Sequence, residues 1–126
     1  MFEKLQITRM AQALAAHAGT RMGVIAQNVA HADTPGYKAQ DIGDFARVWS
    51  AGGEAMRATR PGHLSDTPQQ AAARPFASGG GGGPHGESLS PGKGMVEMAA
   101  ARGEQEKGLA IYRSTSEVIR ASLGRR

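Results

Sequence analysis

The sequence predicts a mainly α-helical protein in which long N- and C-terminal helices pair as an antiparallel hairpin or coiled coil, joined by a mostly irregular, Gly/Pro-rich middle segment. Three observations predict it. Apolar and small residues recur at helical spacing over residues 3–32 and again over 95–123, and these two stretches have nearly equal length. Between them, residues 38–92 lose sustained periodicity. The chain therefore divides into a helix with its terminating turn (1–37), an irregular and largely flexible linker (38–92) and a second helix (93–126).

The first helix rests on Ile7, Ala11, Leu14, Ala18, Met22, Ile25 and Val29, whose spacing of 4, 3, 4, 4, 3, 4 is two turns of an eleven-residue repeat. That period of about 3.67 is close to a straight helix, so the stripe predicts a rod of roughly 45 Å with little supercoil. Gly19 and Gly23 each weaken it by up to about 1 kcal/mol relative to Ala, while small residues four apart also let a neighbouring backbone come close. Asp33-Thr34-Pro35-Gly36 ends the helix. Pro35 pushes Thr34 out of the α region, and Pro followed by Gly suits the two central positions of a type II turn, presenting Tyr37.

In the linker, Ile42, Phe45, Val48 and Trp49 are scattered apolar anchors suited to a short extended or helical piece. Five consecutive glycines and the surrounding Pro and Ser residues then read as a flexible linker. The second helix, preceded by Pro91 and Gly92, carries a heptad-like seam of Met98, Ala101, Gln105, Gly108, Tyr112, Thr115, Ile119 and Ser122, with Leu109, Ile111, Val118 and Leu123 beside it. The seam is half polar. Gly103 and Gly108 together lower its helix stability by roughly 2 kcal/mol, so the segment depends on neighbours to stay helical.

Composition narrows the function classes. Aromatic residues are 5% of the 126 and Gly accounts for 18, too little apolar bulk for a large private core. With no cysteine, disulfides, thiol catalysis and Cys-rich zinc sites are excluded. The net charge of +4 and pI near 10.0 suggest a small basic nucleic-acid-binding protein, but the charge is spread as about +2 over residues 1–32, −1 over 33–92 and +3 over 93–126, with no basic block. No apolar run is long enough to span a bilayer, and Gln6, Thr8, Arg9 and Gln12 interrupt what would be the core of a cleaved secretory signal.

Catalytic, cofactor and metal signals are weak. His17 and His31 stand about 21 Å apart along one helix and cannot share an ion, His31 beside Asp33 reads as a solvated helix end, and His63 and His85 fall in the linker. The Gly-rich stretch has the wrong spacing for a phosphate loop, and no nucleophile elbow or positioned carboxylate pair occurs. The expectation is a non-enzymatic chain with no cofactor and no metal. The methionines are adaptable packing groups.

One stretch resists so bland an account. In "NVAHADTPGYK", residues 28–38, a helix stop explains Pro35 and Gly36 but not Asn28, a poor interior helix residue unless its amide finds partners. With Thr34 and Tyr37 it forms a polar set at one helix end.

The longer run "IAQNVAHADTPGYKAQDIGDF", residues 25–45, resembles the signature near the N-terminus of bacterial flagellar rod and hook proteins, and "AQDIGDF" with the short length resembles in particular the proximal rod proteins, the FlgB family. "RPGHL" (60–64) and "MVEMAAARGEQEKGLAIYRSTSEVI" (95–119) are similar to that family's His-Leu segment and C-terminal helix, although "SPGKG" stands where the family usually has an Asn-rich lead-in. The resemblance implies a structural subunit of the flagellar basal-body rod, the drive shaft of motility, exported by the flagellar type III secretion apparatus without a cleaved signal and assembling in the periplasm. It implies assembly contacts at Ile25, Asn28, Val29, Ala30, Asp33, Thr34, Pro35, Gly36, Tyr37, Lys38 and Phe45, and at Met98, Tyr112 and Ile119 of the C-terminal helix. The implied partners are other rod proteins, the junction of export gate and MS ring, and further copies in a helical assembly, with no nucleic acid and no direct membrane span. A helical-hairpin secretion chaperone or adaptor is the other class compatible with two such helices.

Overall fold

The computed structural model describes residues 2–51, 75–77 and 91–124. The "RPGHL" segment, the five glycines, His63 and His85 lie outside the described residues. Five elements appear in order: helix α1 (Phe2–Ala30), strand β1 (Gln40–Asp41), helix α2 (Phe45–Ala51), strand β2 (Phe76–Ala77) and helix α3 (Pro91–Ser122). The two long helices pack together, and no helix among the described residues is long and apolar enough to cross a membrane.

Contacts between α1 and α3 run in opposite senses along the two chains. A Cβ built on Gly94 would meet the Val29 side chain, one on Gly19 the Gln105 amide, and one on Gly108 the backbone of Ala11 and Ala15. The close approach is therefore made by a glycine of α3, not by the Gly19 and Gly23 pair of α1. Gly23 faces open space. Gly94, Ala101 and Gly108 recur every seven residues and all are buried, a line of small residues along which the backbones meet at Gly108 and the Val29 side chain fills the space at Gly94.

The expected α3 seam is buried or half-buried from Met98 through Ile119, and only Ser122 at its end is exposed. On α1 the stripe is buried or half-buried from Ala11 through Ile25, whereas Ile7 and Val29 at its ends are exposed. Among the described residues the buried apolar set is small: Ala11, Ala18, Val24, Ile25, Ile42 and Ala101. Alanine-sized burial yields less than the about 1.5–3 kcal/mol of a large aliphatic side chain, so polar contacts carry unusual weight here.

Two boundaries differ from expectation. Helix α1 stops at Ala30 rather than residue 32, because its last turns tighten: Ala32 N–H donates to Val29 O at 3.2 Å and Thr34 N–H to His31 O at 3.0 Å. Helix α3 begins at Pro91, four residues before the expected start, and runs through Gly92 and Gly94. Pro tolerates the first helical position because the N–H it lacks would be unpaired there. At Gly94 the missing side chain makes room for Val29, since a Cβ there would sit 2.5 Å from Val29 Cγ2.

Residues 40–51 are also more regular than a linker. β1 and β2 pair antiparallel, Gln40 opposite Ala77 and Asp41 opposite Phe76. The anchors Phe45, Val48 and Trp49 lie on α2, whose first helical bond runs from Val48 N–H to Asp44 O at 3.0 Å.

The two α3 glycines should behave oppositely in thermal unfolding followed by helical circular dichroism. Gly103→Ala, with nothing within 4 Å of the new methyl, should stabilise by about 0.5–1 kcal/mol through helix propensity. Gly108→Ala places its methyl 3.0 Å from backbone atoms of Ala11 and Ala15. Overpacking of about 1–3 kcal/mol should outweigh the propensity gain and lower the midpoint. Equal shifts for both variants would show that the backbones are not in contact.

Candidate functional site: the turn after α1 and the strap it returns

At the end of α1 the chain turns and runs back along the helix it has just left. Tyr37 N–H donates to Thr34 O at 3.3 Å across Pro35 and Gly36, and Gly36 has φ of 78°. That is the type II turn expected from Pro-Gly. The space around Gly36 is open, so the demand for glycine there is conformational rather than steric.

Residues 37–45 form a strap against α1, and Asn28 holds it. The Asn28 side chain is 5% exposed. Its Nδ2 donates to Gln40 O at 2.7 Å, and its Oδ1 accepts from Gln40 N–H at 3.0 Å and from the Tyr37 hydroxyl at 3.3 Å. The carboxamide thus satisfies both main-chain groups of one extended residue, as a neighbouring strand would. Only Asn or Gln offers a donor and an acceptor in that fork, which accounts for an Asn inside a helix.

Two further α1 residues reach the strap from the same face. His17, 8% exposed, uses Nε2 to donate to Gly43 O at 2.8 Å. Its ring meets Phe45 edge-on at 5.6 Å, and Phe45 in turn lies 5.8 Å from Trp49. Because Gly43 O only accepts, the ring hydrogen sits on Nε2, and Nδ1 is buried without a hydrogen-bond partner among the described residues. Arg21 lies 3.6 Å from Asp41 on the strap and 3.8 Å from Glu104 on α3. Both separations are ion pairs rather than hydrogen bonds, and with their partial exposure each contributes about 0–1 kcal/mol. Val24 completes the face, and Ile42, 3% exposed, is the strap's buried apolar side chain.

His17, Arg21, Val24 and Asn28 step by 4, 3, 4, a second helical stripe beside the one that meets α3. The sequence contains that spacing, but the polar character of three members hid it. His17 therefore has a structural role that the metal-ligand reading could not give it. His31 is exposed at the helix end as expected, and there its ring stacks on Tyr37 at 4.6 Å and its Nδ1 shares a 3.3 Å hydrogen bond with Thr34. Thr34 thus joins the turn through His31 and not through Asn28.

The remaining expected contact residues separate into two groups. Ile25 is buried, Met98, Tyr112 and Ile119 are half-buried along α3, and Phe45 is half-buried on α2. Val29, Ala30, Asp33, Pro35 and Lys38 are exposed. Among the described residues no group of three or more His, Cys, Asp or Glu side chains is arranged to hold a metal ion. Compared with known protein families, curated proteins and solved structures, the chain matches none.

Replacing Asn28 by Ala removes both partners of Gln40 while leaving its main chain near the helix. Gln40 is an exposed residue whose main chain water can re-pair, so the two lost hydrogen bonds are worth about 0.5–1.5 kcal/mol each and Asn28→Ala should destabilise by about 1–3 kcal/mol in urea titration. Asn28→Asp sets an ionised carboxylate at this 5%-exposed position and turns the 2.7 Å contact with Gln40 O into a repulsion, so its loss at neutral pH should be at least that of Ala. Identical midpoints for wild type and Asn28→Ala would show that the clamp contributes nothing.

Proposed function

We propose that the protein is a structural subunit of the bacterial flagellar basal-body rod, of the proximal rod class, and part of the drive shaft that transmits torque from motor to hook. In this reading α1 and α3 are the arms of an antiparallel coiled-coil hairpin forming the inner layer of a helical assembly, and the Gly/Pro-rich middle stays mostly irregular until neighbours order it. The chain travels unfolded through the type III export channel and becomes rigid in the periplasm. Its partners are further copies, other rod proteins and the junction of export gate and MS ring. It carries out no catalysis.

The observation that supports this most is the use made of "NVAHADTPGYK". Asn28 and Tyr37 hold the chain where it leaves the long helix, and Pro35 and Gly36 set the direction of exit. The exposed apolar side chains support it as well. Leu5, Ile7 and Met10 of α1 and Leu109, Ile111, Val118 and Leu123 of α3 lie toward the same end of the helix pair, flanking its seam and facing outward. An isolated soluble hairpin has no use for that distribution, whereas a subunit surrounded by copies buries it.

Mass spectrometry of purified basal bodies tests the assignment: the chain should be present in the rod fraction. Its absence there, with the protein retained in the cytoplasm, would favour a secretion chaperone. A second test concerns the turn. Gly36→Val should abolish swimming while export persists, because a β-branched residue is strained at positive φ. Gly36→Asn, which tolerates that conformation, should retain motility. Normal swimming by the Val strain would remove the turn from the assembly account.

A further inference from the structure

Nearly everything that α1 recognises in the strap is main chain. Asn28 binds the N–H and C=O of Gln40, and His17 binds the C=O of Gly43. Side-chain selectivity over residues 40–43 comes from the Arg21 and Asp41 ion pair and the buried Ile42, with Tyr37 on Asn28 and Phe45 on His17 flanking them. We infer that the polar seam His17, Arg21, Val24, Asn28 is a recognition site for an extended Asp-Ile-Gly segment, filled in cis by residues 40–43 and able to accept the same residues from a second copy.

Three features point to a second copy rather than an unrelated peptide. The site rewards an Asp beside Arg21, an apolar residue after it and an extended carbonyl two residues beyond Asp41, and the chain's own sequence supplies these in register. The connection between site and strap is a short turn with Gly36 at its centre, spanned by hydrogen bonds from Thr34 N–H and Tyr37 N–H. Glycine reaches other backbone conformations readily, so the same residues can open into an extended crossing between copies. Finally, a vacated seam is costly, because it returns Ile42, 3% exposed, to water and gives up the main-chain hydrogen bonds of Asn28 and His17. A strap that leaves is best replaced by an identical one.

In dilute solution the tethered strap wins through its effective concentration, and in a packed assembly neighbouring straps compete on comparable terms. The inference goes beyond the rod reading and does not require it. Any state that crowds copies together would suffice.

The probe is a fluorescent synthetic peptide of residues 37–46, titrated with full-length protein and read by anisotropy. Gln40→Pro removes the strap's own N–H from Asn28 and should free the seam while leaving α1 and α3 helical. This variant should bind the peptide at least tenfold more tightly than wild type, and adding Asn28→Ala to it should abolish the gain. A peptide carrying Asp41→Lys should bind several-fold more weakly. Equal binding by wild type and Gln40→Pro, binding indifferent to Asn28→Ala, or no binding at all would overturn the inference. So would loss of helical circular dichroism in Gln40→Pro, because the strap would then be inseparable from the fold. Presence or absence of the chain in basal bodies affects none of these outcomes.

Discussion

The grip of one helical carboxamide on one extended residue organises this protein. Asn28 satisfies the N–H and C=O of Gln40 together, and from that point the chain's path is fixed in both directions. Upstream, the turn at Pro35 and Gly36 must bring residue 40 back to the helix. Downstream, Gly43 arrives at His17, Asp41 at Arg21, and α2 starts at Phe45 against the His17 ring. The Asn28 carboxamide is itself buried and would be costly to leave unpaired, so the fork that satisfies it carries more weight than the half-exposed ion pairs nearby.

That weight is felt because the apolar core is thin. Among the described residues the buried apolar side chains are three alanines, one valine and two isoleucines, and no large side chain is wholly buried. Helix pairing depends on closeness as well as bulk: Gly108 puts α3 against the α1 backbone, and Gly94, on the far side of the buried Ala101, makes room for the Val29 side chain. Dispersion between closely set backbones replaces the large interdigitating side chains of an ordinary core. Such a contact is sensitive to single methyl groups and provides little stability in reserve.

α1 consequently serves two different neighbours on two adjacent stripes. The small apolar stripe through Ala11, Ala18 and Ile25 meets α3, and the polar stripe through His17, Arg21 and Asn28 meets the strap. Arg21 stands between them, with Asp41 on one side and Glu104 on the other, so both neighbours are in its reach at once. A helix used on two faces by its own chain, with apolar side chains still outward at both ends of the helix pair, suits a part designed for company. That is why the rod reading and the exchangeable strap arise from the same surface without depending on each other.

The sequence by itself determined the two long helices, the α3 seam and the type II turn, because each is written in local terms: residue spacing, and the fixed φ of Pro before a Gly free to take positive φ. It also marked Asn28 as unexplained by a plain helix stop. It could not show that Gly108 and Gly94 are close-approach positions, since a glycine in a helix looks like a weakness until the opposing backbone is in place. Nor could it pair Asn28 with Gln40 or His17 with Gly43. Those contacts are to main-chain atoms, which every residue possesses, and only the tertiary path of the chain decides which of them a side chain meets.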